Sequence, residues 1–197
     1  MRSELIFYFD FSSAYSYIAQ ARIDAVFADV DADIRWRPIL LGAIFRENGW
    51  VPVSPGSPKG DYTFRDVERT ARLAGLEFGW PKIFPFNGML AARLFYALDS
   101  VDAVAFARAV FHAAYVSGQD VTNPAVLEGL VGDLGLDCAA VTARSELEEV
   151  KARLRDETTA AMKAGVFGAP SFVVNGEVFW GADRMTDARD WAASGGW

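Results

Sequence analysis

The sequence predicts an α/β protein, and three observations predict it. An aromatic run near the start is followed by residues at helical spacing and then by a second, alternating run, a β-α-β order. From position 61 to about 165 the pattern is mostly helical. Near the end two short apolar runs flank Asn175-Gly176 and lead into a closing helical stretch, a β-β-α order.

Residues 4–11, ELIFYFDF, combine aromatic and β-branched side chains in a run of strand length, which reads as a buried strand ending near Asp10. In 14–28, Tyr15, Ile18, Ala19, Ile23, Val26 and Phe27 fall close to helical spacing, interrupted by Arg22. Residues 33–37, DIRWR, alternate polar and apolar and are stopped by Pro38. The stretch 48–60 holds three prolines and three glycines and reads as a surface loop.

Helical segments follow at 61–74, 88–98, 102–117, 124–134 and roughly 145–164, with a turn through Gly75, Gly79, Pro81 and Pro85 after the first. Thr122-Asn123-Pro124 supplies a cap followed by proline at the first helical position, and Gly165 suits the stop of the last long helix. The strands 171–174 and 177–180 flank Asn175-Gly176, the dipeptide that fits a type I′ hairpin turn, and 184–193 reads as a closing helix. No linker composition separates the helical block from its flanks. The expected organisation is therefore one domain over 1–197, with an α/β part at about 1–60 and 165–197 and a helical insertion at about 61–164.

Composition narrows function. With 19 Lys and Arg against 26 Asp and Glu the formal charge is −7, so the chain lacks the basic surface that phosphate contacts require and nucleic acid is not an expected partner. No apolar run approaches the roughly 20 residues that span a bilayer, and MRSELIFYFD lacks a signal-peptide layout. A soluble cytoplasmic protein without membrane partners is the expectation. Cys138 is the only cysteine and His112 the only histidine. This excludes an intramolecular disulfide, a CxxC pair, a cysteine zinc cluster and a multi-histidine metal centre, and no Asp-rich metal loop is visible. No metal is expected.

Two junctions could carry chemistry. Ser12, Ser13 and Ser16 lie where the first strand meets the first helix, whose N-terminus offers unpaired N–H groups and a positive dipole end. A serine there can simply cap the helix; it can also donate to a bound anion or thiolate. Gly168-Ala169-Pro170 precedes the hairpin, and the proline there either begins a strand in the ordinary trans form or holds a cis peptide. Three other features read as structural: His112 as a packed or interfacial residue, Cys138 as a passive buried thiol, and Glu148-Glu149 as a solvated helix face.

At these residues the chain resembles a known family. FYFDFSSAYSYIA (7–19) is similar to the opening of the 2-hydroxychromene-2-carboxylate isomerases and the kappa-class glutathione transferases, in the DsbA-like branch of the thioredoxin superfamily. Ser13 matches the family's active serine and Ser16 its second serine, while Ala14 stands where proline is usual. RWRPILLGAIF (35–45), IFPFN (83–87) with Arg93, VFGAPSFVV (166–174) and FWGADR (179–184) match further family elements in the right order. The resemblance implies a thioredoxin-like fold with Pro170 in the cis form opposite Ser13.

It also implies a glutathione site. Ala169 would pair with the cysteinyl unit as an added strand would, Asp183 with Ala182 would hold the γ-glutamyl ammonium, and Lys59 would meet the glycyl carboxylate. Trp180 and Gly181 belong to the same element, and Trp50 stands where many relatives have asparagine. Phe45, Phe86 and Trp180 would line an aromatic-substrate pocket, with Asn87 and Arg93 as further substrate residues. The implied reaction is isomerisation of a cyclic aromatic hemiketal to a trans-benzylidenepyruvate by reversible thiolate addition, glutathione acting as catalyst and Ser13 donating to its sulfur. The family also implies a homodimer.

Lowering a thiol's pKa by about two units from about 8.5 gains roughly 1.4 kcal/mol of ionised fraction, partly offset by lower nucleophilicity. Most acceleration must therefore come from positioning and from stabilising the enolate oxygen, for which Lys59, Asn87 and Arg93 are the candidates. Two alternatives share the fold: a kappa-like transferase that releases a conjugate, and a binding module without chemistry. A disulfide oxidoreductase is disfavoured, because Ser13-Ala14-Tyr15-Ser16 puts hydroxyls where two thiols are needed.

Overall fold

A computed structural model describes residues 3–53 and 55–197. Met1 and Arg2, on which the reading of the chain start partly rests, and Ser54 of the 48–60 loop lie outside the described residues. The elements run β1 (Ser3–Phe9), α1 (Ala14–Val26), β2 (Ala32–Pro38), α2 (Leu41–Glu47), α3 (Pro58–Leu73), α4 (Met89–Ala97) and α5 (Ser100–Tyr115). Then come α6 (Pro124–Asp133), α7 (Cys138–Ser145), α8 (Glu148–Lys163), β3 (Ser171–Val174), β4 (Glu177–Trp180), a 3₁₀ turn (Ala182–Arg184) and α9 (Met185–Ser194). The sheet order is β2-β1-β3-β4, with β1 parallel to β2 and antiparallel to β3, and β3 antiparallel to β4.

β1 is an inner strand, and its period-two alternation feeds two cores. Leu5, Phe7 and Phe9 are fully buried in the larger one. Ile6 and Tyr8 point the other way, against Ile39, Ile44, Ala161, Val166 and Val173 from the sides of α2, α8 and β3. Phe7 stacks on Phe9 and on Phe172, each at 5.2 Å between centroids, with the Trp36 ring edge-on at 5.0 Å. Phe9 also meets Phe95 of α4 at 5.8 Å and Phe111 of α5 at 5.7 Å. Each such ring contributes about 1.5–3 kcal/mol on burial. The sheet and the helical block therefore share one aromatic core. The hairpin has both central residues left-handed (Asn175 φ 49°, Gly176 φ 91°), as a type I′ turn requires.

The structure corrects several expected boundaries. β1 ends at Phe9, so Asp10 and Phe11 belong to the turn that follows. Pro38 closes β2 from within its last pair, opposite Phe9, which an edge strand tolerates. α2 was not expected; at 7 residues it is too short for periodicity to reveal. α3 begins at Pro58, where Ser57 accepts from Gly60 N–H as N-cap, so Lys59 lies in a helical first turn and not in the loop. The segment expected at roughly 145–164 is the single helix α8, starting at Glu148, but α7 before it was not expected: Asp137 caps it by accepting from Ala140 N–H, and it ends at Ser145. Cys138 is half-buried in the first turn of α7, and its thiol donates to the Glu128 carbonyl at 3.2 Å. His112 is exposed on α5, with Nδ1 3.2 Å from Ser117 Oγ.

Candidate active site

The site is assembled where the β1–α1 turn meets the start of β3. Ser13 is the N-cap of α1, extended at φ −90° and ψ 112°, and its Oγ accepts from Ser16 N–H at 3.2 Å. The same hydroxyl donates to the Ala169 carbonyl at 2.9 Å, 156 residues away in sequence. Ser13 is only 8 % exposed, and the Ala169–Pro170 peptide beside it is cis. The three serines of the junction thus have separate duties. Ser12 turns both its N–H and its hydroxyl onto Asp10 Oδ1 at 2.7 Å, and buried Ser16 accepts from Asp10 N–H at 3.5 Å. Ser13 alone joins the β1–α1 turn to the start of β3.

Asp10 is buried, and burial pushes its carboxyl up from the usual range, while bonds from Ser12 and the Leu41 N–H act against that rise. Tyr15, two residues past Ser13, donates to Asp66 of α3, which also receives Arg69 Nε at 2.7 Å. Burial works upward on Asp66, but the bonds from Tyr15 and Arg69 outweigh it and hold its carboxyl below 3.8. Lys59, Tyr62, Asp66 and Arg69 recur at helical spacing on α3, so Lys59 shares the face that turns toward the N-terminus of α1.

An open aromatic ladder borders the Ser13–Ala169 junction. Phe45 and Trp50 lie 6.3 Å apart, Trp50 and Phe167 6.4 Å, and Phe167 and Trp180 4.8 Å. Trp50, Phe167 and Trp180 remain 47 %, 39 % and 53 % exposed, a patch of ring surface facing water beside Ala169. Two glycines make the arrangement possible. A Cβ on Gly168 would lie 2.4 Å from Trp180 Nε1, so Trp180 rests on bare backbone. Gly181, at φ 115° and ψ 152°, adopts a conformation reserved for glycine, donates to the Pro170 carbonyl at 2.9 Å, and leads into Ala182 and Asp183.

The sequence-derived residues therefore fall into groups. Ser13, Ala169 and Pro170 meet directly, Trp180 and Gly181 adjoin them along β3 and β4, and Phe45 and Trp50 join through the ladder. Asp183 is exposed, 3.6 Å from Arg184 Nε. Asn87 accepts from Met89 N–H at 2.9 Å at the head of α4, next to Gly88, which lies against Phe11 and Asp10. Arg93 reaches Glu146 at 3.7 Å, and Phe86 is buried 6.2 Å from Tyr115 in the core. Phe167 and Asp10 were not singled out as site residues. Phe167 stood inside the VFGAP run, where an aromatic just before a glycine was the available signal. Among the described residues no group of three or more His, Cys, Asp or Glu is placed to hold a metal ion, and no helix is long and apolar enough to cross a membrane.

Comparison with known proteins agrees with this geometry. The model of the DSBA-like thioredoxin domain matches residues 4–191. A 2-hydroxychromene-2-carboxylate isomerase of Sphingobium xenophagum is 31 % identical over 187 residues, covering 94 % of this chain and 95 % of that protein. Glutathione S-transferase kappa 2 of Caenorhabditis elegans is 26 % identical, over 98 % of this chain and 92 % of its own length. The solved structure of a 2-hydroxychromene-2-carboxylate isomerase superposes with a TM-score of 0.82 at 28 % identity, covering 95 % of this chain and 93 % of that one. With a serine-capped α1 facing a cis-proline strand and identity sustained over nearly its whole length, the chain belongs to the DSBA-like thioredoxin family and, within it, to the 2-hydroxychromene-2-carboxylate isomerase family, with the kappa-class glutathione transferases as relatives.

Proposed function

We propose that this protein is a glutathione-dependent isomerase of 2-hydroxychromene-2-carboxylate or a related aromatic-degradation intermediate. The observation that carries the reading is the Ser13 hydroxyl bonded to the Ala169 carbonyl at 2.9 Å, beside an exposed aromatic ladder. The residues present fit the tripeptide: a hydroxyl at a helix N-terminus for the sulfur, Ala169 at the head of the cis-proline strand for its backbone, exposed Asp183 for the ammonium and Lys59 for a carboxylate. Bound glutathione supplies a sulfur nucleophile that adds reversibly to the conjugated carbon of the substrate.

The chain does the rest. Ser13 turns its one proton from Ala169 toward the sulfur, and the positive end of α1 favours negative charge there. Trp50, Phe167, Trp180 and Phe45 offer ring faces against which an aromatic substrate stacks, excluding water from one side. Lys59, Asn87 and Arg93 are the cation and donors proposed for the developing enolate oxygen; Arg93 leaves Glu146 to take part. A cytoplasmic homodimer completes the reading.

The test is the dependence of isomerisation on glutathione. Conversion of 2-hydroxychromene-2-carboxylate, followed by absorbance, is expected only when glutathione is added and in less than stoichiometric amount. Full rate in thiol-free buffer removes the cofactor. The similarity to the kappa transferase favours one second reading, release of a glutathione conjugate, and product analysis with a generic electrophile separates the two.

A further inference from the structure

Asp10 is 5 % exposed and takes no part in the chemistry proposed above. Its carboxylate bridges two segments distant in sequence. Oδ1 accepts the Ser12 N–H and hydroxyl at 2.7 Å each, and Oδ2 accepts the Leu41 N–H at 2.8 Å. The first segment carries Ser13. The second opens α2, which carries Phe45, and Trp50 N–H bonds back to the Phe45 carbonyl at 2.7 Å.

Resting on the glutathione-dependent reading, we propose that Asp10 is a positioning residue that fixes the spacing between the Ser13 hydroxyl and the Phe45–Trp50 end of the aromatic ladder. It thereby sets how tightly the aromatic substrate seats against the ladder. A carboxylate suits this post because both of its oxygens must accept. An amide would accept from Ser12 with one atom and turn its NH₂ on the Leu41 N–H with the other, leaving a buried donor unpaired. Asp10 also assigns the serines: it occupies the Ser12 hydroxyl and gives its own N–H to Ser16, so Ser13 is the hydroxyl left to reach Ala169.

Two substitutions cut the Leu41 bond from opposite ends. Asp10→Asn turns a donor on the Leu41 N–H. Leu41→Pro removes that N–H at the first helical position, where proline is accommodated, and Leu40 before it is already extended at φ −104° and ψ 99°. For each variant the KM and kcat for 2-hydroxychromene-2-carboxylate and the Kd for glutathione are measured. Each single substitution is expected to raise KM about tenfold, as loss of one buried charge-assisted hydrogen bond would, with kcat and glutathione Kd within about twofold. The double variant is expected to be no worse than either single one.

Multiplying effects, near a hundredfold in the double variant, would overturn the proposal because the two residues would then act separately. Wild-type KM with only a lowered melting temperature would overturn it as well. Should Asp10→Asn fail to fold, the KM of Leu41→Pro alone decides in the same way. A wild-type protein that neither binds nor needs glutathione defeats the parent reading and this one together. A glutathione-dependent wild type with unaltered variants defeats this one alone.

Discussion

The hydroxyl of Ser13 has one proton, and in this structure Ala169 holds it. Donation to a sulfur therefore exchanges one hydrogen bond for another, and the second lone-pair bond, to Ser16 N–H, can persist throughout. Ser13→Ala removes the donor and the cap together. The cap costs about 0.5–2 kcal/mol, so the variant is expected to fold with a lower melting temperature. Turnover is expected to fall about a hundredfold or more, the effect of removing a donor aimed at developing charge. Steady-state kinetics beside circular dichroism checks both. Gly168→Ala is the matching test of the ladder: its methyl meets Trp180 Nε1 at 2.4 Å and must displace the ring. A weaker substrate affinity and a changed tryptophan emission spectrum are expected, with an overpacking cost of about 1–3 kcal/mol. Asp66 gives a pH signature. Its carboxyl is held below 3.8 in the folded chain, so its contribution is full above that value and is lost as the pH falls through the lower folded value. The melting-temperature advantage of the wild type over Asp66→Asn should therefore be constant near neutrality and shrink under strong acid.

At the scale of elements, the hairpin was legible because its information is local. Asn175-Gly176 states its own turn type, and the structure adds that Asn175 Oδ1 accepts from Glu4 N–H at 3.1 Å, beside the Asn175 N–H bond to the Glu4 carbonyl, fastening the turn to β1. Asn175→Ala forfeits the side-chain bond and places a side chain with less tolerance at φ 49°. A loss of about 1–2 kcal/mol in denaturant unfolding with unchanged kinetics is expected. The long helices α5 and α6 were equally legible, whereas α2 and α7, of 7 and 8 residues, were not, since two turns do not establish a period. The break between α7 and α8 lies at Glu146 and Leu147, where Leu147 is extended at φ −64° and ψ 143°, a local backbone choice that periodicity does not record. The site was legible only through family resemblance. Nothing in the spacing of Ser13 and Ala169 foretells a bond across 156 residues, and the post of Asp10 depends on Leu41 being brought to it by the β2 connection.

Across the whole molecule, the rings of β1 pack at once against β3, α4 and α5, so sheet and helical block have no separate cores to lose one at a time. We expect far-UV and near-UV circular dichroism to report one coincident thermal transition, as a single domain over 1–197 requires; two resolved transitions would detach the block at about 61–164. The ladder beside Ala169 has a thermodynamic counterpart. Three of its rings stand 39 % to 53 % open to solvent, and any guest that covers them releases their hydration shell. Calorimetric titration at a series of temperatures should then show binding enthalpy growing steadily more exothermic with warming, a negative heat-capacity change that a guest leaving those rings exposed would not produce.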